Sequence, residues 1–167
     1  MGHGMSTPEP SLKGRALRLL GGREYSRTEL ERKLKIHDQS PGLLAKALDE
    51  LQVKGFIDDQ RVVESVVHRR AAKLGAARIK QELRSKGLSA GTVKDAVSSL
   101  QATELERARA IWYKKFGAAL TAEQSPRALS AAERGKQMRF LASRGFGADT
   151  IRRVVTGNSG DQEPMLD

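Results

Sequence analysis

Gly55-Phe56-Ile57-Asp58-Asp59, followed after one helical stretch by Lys73-Leu74-Gly75-Ala76-Ala77-Arg78-Ile79-Lys80-Gln81-Glu82-Leu83-Arg84-Ser85-Lys86-Gly87-Leu88, is where the fold of this chain is decided. The stretch joins two copies of a small helical unit. Upstream, Leu12, Ala16, Leu19 and Leu20 recur at helical spacing and stop at Gly21-Gly22, where left-handed backbone costs little. Ser26 and Glu29 then make a capping-box pair ahead of Leu30 and Leu34. Ser40-Pro41 reads as N-cap and first-turn proline of a third helix, with Leu43, Leu44, Ala47, Leu48 and Leu51 on one face and an end near Gly55.

Downstream the same plan returns. Asp58 is placed to cap a helix whose inner face carries Val62, Val63, Val66, Val67 and Ala71, closed by Gly75. A fifth helix follows from about 76 to 86, with Ile79 and Leu83 inward and Gly87 as its stop. Ser89 opens a sixth, bearing Val93, Ala96, Val97 and Leu100, and Thr103 with Glu106 patterns as a capping box for a seventh with Leu105, Ala108, Ile111, Trp112 and Phe116. A loop is expected near 117–129. The pattern resumes at Ser130 and Glu133, stops at Gly145-Phe146, and ends on a short helix with Ile151, Val154 and Val155.

Overlay tests the repetition. A shift of 49 residues carries Leu30, Leu34, Leu44, Leu48 and Leu51 onto Ile79, Leu83, Val93, Val97 and Leu100. A shift of 58 carries Leu83, Val93 and Val97 onto Leu141, Ile151 and Val155, and Lys86-Gly87-Leu88 onto Arg144-Gly145-Phe146. The fold class is therefore all-α: three tandem three-helix repeats over 11–57, 58–102 and 103–156, between a disordered leader (1–10) and an acidic disordered tail (157–167). Units this small bury too little apolar surface to stand alone, so they should pack in series into an elongated array.

Composition narrows the function classes. Thirty basic residues face twenty acidic ones, a formal charge of +10, which makes a polyanion or an acidic protein surface the expected partner. The excess is uneven: residues 11–35 hold eight basic against three acidic residues, 78–100 five against two, and 121–157 seven against three. There is no cysteine, which excludes disulfides and cysteine-ligated zinc and fits a reducing cytoplasm. No apolar run approaches the roughly 20 residues of a membrane span, and residues 1–11 lack a signal-peptide core.

Catalytic clusters are not evident. Asp58-Asp59 reads as an acidic helix start rather than as half of a metal or acid/base site, which would need further converging carboxylates. His3, His37 and His68 share no ligand spacing, and the glycines punctuate helices without forming a phosphate-cradling loop. No cofactor is expected, and no enzymatic activity. Trp112 and Phe116 sit at core spacing, leaving Tyr113 as the exposed aromatic. On charge and repeat position the candidate binding residues are Arg15, Arg18, Arg69, Arg70, Lys73, Arg78, Arg84, Lys86, Arg139, Arg144, Arg152 and Arg153.

Several runs, in their order and spacing, resemble the RecX family of bacterial modulators of the recombinase RecA. They are Ser26-Arg27-Thr28-Glu29-Leu30 with Leu34, then Gly55 to Arg61, then Arg69-Arg70 and Leu74-Gly75 with Arg78-Ile79 and Glu82-Leu83, and finally Arg139 to Phe146. The resemblance spans roughly 11–155 and departs at Val62-Val63, where an aromatic followed by a small residue is usual in the family. It implies three tandem three-helix repeats in a curved array. It also implies binding to RecA as monomer and filament, with suppression of strand exchange, ATP hydrolysis and coprotease activity, some affinity for single- and double-stranded DNA, and a place in homologous recombination, DNA repair and the SOS response. A soluble monomer is expected. The alternative is a direct, non-specific DNA-binding protein, since three-helix units resemble helix-turn-helix modules. Helix six, with Lys94 almost its only long polar side chain, offers little for reading bases.

Overall fold

A computed structural model describes residues 8–119 and 129–157. Most of the expected leader, most of the loop near 117–129 and nearly all of the expected tail lie outside the described residues.

Among the described residues there are nine α-helices and no strand: α1 (Leu12–Gly22), α2 (Arg27–Leu34), α3 (Leu43–Val53), α4 (Asp59–Arg70), α5 (Ala76–Ser85), α6 (Ala90–Ala102), α7 (Glu104–Phe116), α8 (Ala131–Ser143) and α9 (Ala148–Thr156). Short 3-10 turns follow α2 at Lys35–His37 and α7 at Gly117–Ala119. Local chemistry sets most starts. Ser11 accepts from the Gly14 amide at 3.1 Å, and Ser89 from Thr92 at 3.1 Å. Ser26–Glu29 and Ser130–Glu133 close as complete capping boxes. Asp58 accepts from the Gln60 and Arg61 amides at 2.8 and 3.2 Å, so the acidic pair does begin α4 as a cap.

Three local expectations are corrected. Ser40-Pro41 does not cap α3: the two residues form a turn, Leu43 N–H donating to Ser40 O at 3.2 Å. Gly42 at φ 88° then stands as N-cap. Proline suits the turn and only glycine is at ease at that φ. Thr103 precedes α7 but makes no capping bond; its hydroxyl donates to Leu100 O at 3.4 Å, because α6 runs almost directly into α7. Gly75 does not close α4, which ends at Arg70. Its value is space: a Cβ there would lie 2.5 Å from Phe146 N and nearer still to Gly145 O.

By compactness the chain divides in two. The first unit comprises, among the described residues, 8–65 together with 86–88. Its core is Ala16, Tyr25, Leu30, Leu34, Leu44, Leu48, Leu51 and Ile57, with Leu12, Leu19 and Leu20 packed against it. Burying Leu30, Leu48 and Leu51, each 1% exposed or less, contributes roughly 1.5–3 kcal/mol per side chain. Val62 and Val63 are also buried, so the unusual pair is accommodated.

The second unit takes in 66–85 and the described residues from 89 to 157. Here α5 packs on α6, and α7 and α8 on α9. Ala108, Trp112, Leu141, Phe146, Ile151, Val154 and Val155 form one core cluster, flanked by Leu105, Ile111, Phe116 and Phe140. Trp112 Nε1 donates to the buried Gln137 Oε1 at 2.9 Å, satisfying both groups. The start of α5 lacks a cap of its own. Gly75 N–H donates to Arg144 O at 2.8 Å, Ala76 N–H to Glu104 Oε1 at 3.1 Å and Ala77 N–H to Gly145 O at 3.2 Å. Arg107 gathers the carbonyls of Ala71, Leu74 and Leu100 at 2.7–3.0 Å, and burial pushes its guanidinium below the usual arginine range.

Candidate functional site

The structure sorts the twelve candidate cations. Several hold the fold. Lys86, its side chain 11% exposed, donates to Glu29 Oε1 at 2.9 Å, and Arg70 pairs with Glu82 at 2.9 Å. Arg78 forks onto Ser143 O at 3.2 and 3.0 Å, bonding the C-terminal turn of α8. Arg144 stacks over Phe140 at 5.0 Å, Arg152 pairs with Asp149, and Arg15 reaches Pro10 O at 3.2 Å and Glu9 at 3.4 Å. Arg153 is half-buried, its Nε enclosed. Arg18, Arg69, Lys73, Arg84 and Arg139 are exposed.

Lys86 belongs to a charged knot in the first unit. Ser26 Oγ donates to Lys86 O while accepting from Glu29 N–H, and Glu29 accepts from Ser26 N–H at 2.9 Å, Arg23 at 3.0 Å and Lys86. Burial alone would raise the Glu29 pKa, but those donors outweigh it and hold the carboxyl below the usual range. Arg23 also lies over the Tyr25 ring at 3.5 Å.

One of the exposed candidates, Arg84, leads to a site. In the second unit α5 and α6 leave a cleft of about 410 Å³ between them, lined by Lys80, Arg84, Ala90, Val93, Lys94, Val97, Ser98 and Gln101. Sequence reasoning included Arg84 and omitted Lys80 and Lys94, because packing of one helix against the next, not proximity in sequence, brings the third cation to the first two. Spacing offered a partial signal, since Lys80 and Arg84 are four apart on one helix face. A cleft lined by ammonium, guanidinium, hydroxyl and amide groups and by no carboxylate or imidazole can hold an anion. No cluster of three potential metal ligands occurs among the described residues.

Tyr113 is 68% exposed, as its spacing implies, whereas Trp112 is core. No described helix is long and apolar enough to cross a membrane.

Family models match along most of the helical region: the first three-helix domain of RecX at residues 13–51, the second at 58–97 and the third at 102–155. The chain is 50% identical over 148 residues to the regulatory protein RecX of Leptothrix cholodnii, covering 89% of each. It is 42% identical over 147 residues to that of Ralstonia nicotianae, covering 88% of this chain and 87% of the relative. The crystal structure of RecX from Lactobacillus salivarius superposes with a TM-score of 0.71 at 22% identity, covering 87% of this chain and 93% of that one, which shows a shared fold. With three successive domain matches in order and this degree of identity, the chain belongs to the RecX family of regulatory proteins.

Proposed function

We propose that this chain is a non-enzymatic regulator that binds RecA, as monomer and as RecA–DNA filament, and inhibits or modulates its recombinase, ATPase and coprotease activities. The match to all three RecX domains carries the reading. Three small repeats in tandem suit a polymeric target: each contact can be weak, and linkage raises the effective concentration of the next. The mechanism is occlusion, with binding that favours an inactive or dissociating state of the filament. The chain acts as a soluble cytoplasmic monomer and needs no cofactor.

The decisive measurement is RecA ATPase on single-stranded DNA. Inhibition of pre-formed filaments at well below one copy per RecA is expected. If inhibition requires enough protein to saturate the DNA, and order of addition decides the outcome, the chain is a competitor for DNA. That second reading, direct non-specific DNA binding, draws on the basic cleft between α5 and α6.

A further inference from the structure

We propose that the α5/α6 cleft is a phosphate-binding site for a single nucleic-acid strand, built by inverting a closed ion-pair site of the first repeat. The proposal deepens the DNA-binding side of the preceding reading and rests on it. The 49-residue shift places Arg27 opposite Ala76, Glu31 opposite Lys80, Ala45 opposite Lys94 and Asp49 opposite Ser98. In the first unit Arg27 spans the α2/α3 groove: it donates to Glu31 at 2.9 Å, Asp49 at 2.5 Å, Gln52 at 3.0 Å and Ala45 O at 3.4 Å. One cation is thus enclosed by two carboxylates. The groove supplies its own counter-ions.

At the corresponding place in the second unit the bridging arginine is an alanine, one carboxylate has become Lys80 and the other Ser98, and Lys94 adds a cation where the first repeat has Ala45. The result is an open cleft in which Lys80, Arg84 and Lys94 have no ion-pair partner among the described residues. Three neighbouring positive charges repel one another, and a bound anion would relieve that repulsion.

The lining favours a phosphodiester strand over a carboxylate. Lys94 and Gln101 stand about 10 Å apart along α6, with the Ser98 hydroxyl between them donating to Lys94 O at 3.1 Å, and Lys80 and Arg84 lie one turn apart along α5, so the free donors form two rows rather than one point. About 410 Å³ is far more than a single Asp or Glu side chain fills. Ala90, Val93 and Val97 give the cleft an apolar floor suited to sugar carbons. No aromatic side chain lines it, so bases have nothing to stack on and sequence should matter little.

The test compares two triple variants of the full chain carrying equal charge loss. Lys80→Gln/Arg84→Gln/Lys94→Gln empties the cleft, and Lys33→Gln/Lys46→Gln/Lys54→Gln removes three exposed cations of the first unit. Binding of a dye-labelled oligothymidylate is followed by fluorescence anisotropy across a salt series. The cleft variant should lose about tenfold or more in affinity at low salt, with the slope of log K against log salt shallower by about 2, the value for three released counterions on a single strand. The control should lose less than threefold. Should the cleft variant unfold by circular dichroism, Lys80→Glu/Ser98→Asp, which restores the first repeat's carboxylates, is read instead. Equal losses in cleft and control variants, or no oligonucleotide binding by the parent chain, would overturn the site. Loss of binding to polyglutamate with oligothymidylate unaffected would also overturn it, naming an acidic protein surface as the occupant. RecA ATPase run in parallel separates the two levels. A parent chain that fails to inhibit RecA while its oligonucleotide binding behaves as stated sinks the regulator reading and leaves the cleft standing.

Discussion

Two turns built to one plan are held by different chemistry. In the first unit the turn at 86–88 lies against the start of α2 through side chains: Ser26 Oγ and Thr28 Oγ1 donate to the carbonyls of Lys86 and Gly87, and Lys86 reaches Glu29. In the second unit the turn at 144–146 lies against the start of α5 through main chain, with Gly75 and Ala77 N–H donating to the carbonyls of Arg144 and Gly145. Both turns pivot on a glycine at positive φ, Gly87 at 74° and Gly145 at 87°. The difference is one of main support: the first junction is made by side chains that can adjust, while the second, although Arg78 and Glu104 also serve it, depends on two backbones approaching with no Cβ between them.

The largest expected effect is therefore steric. Gly75→Ala places a methyl against Gly145 and Phe146 main chain, which cannot rotate away, and should cost about 3 kcal/mol in urea unfolding. A cost under about 1 kcal/mol would show that the two backbones have slack. The side-chain junction should be gentler and should depend on pH. Glu29→Gln leaves Lys86 without its carboxylate and should cost about 2 kcal/mol at neutral pH. Because the folded Glu29 pKa is depressed, its stabilisation is complete above the ordinary carboxylate value and is lost as pH falls through the folded one. The gap between parent and variant should thus begin to narrow as pH falls through the ordinary carboxylate value of about 4.3 and close below the depressed one, and a constant gap would show that the charge plays no part.

Ser26→Ala removes the cap and the bond to Lys86 O together, for about 1–2 kcal/mol, and should leave the second unit's amide protection untouched. The smallest effect belongs to Gly55→Ala. Gly55 sits at φ 77° with open space around it, so only the backbone preference is at stake, about 1 kcal/mol. If that change proved as costly as Gly75→Ala, the distinction between strain and collision would fail.

The helices were legible because their signals are contiguous. The spacing of Leu30, Leu34, Ile79 and Leu83 marks buried faces, and the Ser26–Glu29 and Ser130–Glu133 boxes lie within four residues of sequence. Gly75 was visible as a glycine, yet its use was not, since its neighbour Gly145 is 70 residues away. Thr103 carried a capping pattern that lost to the near-continuity of α6 and α7. The candidate cations were legible only as a class: charge alone cannot tell Lys86, which binds Glu29, from Arg84, which faces an open cleft. The contrast between the repeats at Arg27 and Ala76 lay in the sequence throughout, but it needs the packed helices to become a groove.

The uncapped start of α5 has a consequence for synthesis. An isolated helix exposes its first amides, and α2 closes its own from Ser26 and Glu29, partners that leave the ribosome together with it. The amides of Gly75, Ala76 and Ala77 instead wait for Arg144, Glu104 and Gly145. A helix in the middle of the chain can therefore finish only after the last repeat has been translated, so a ribosome-bound chain truncated before residue 144 should hold α2 formed and α5 frayed at its beginning.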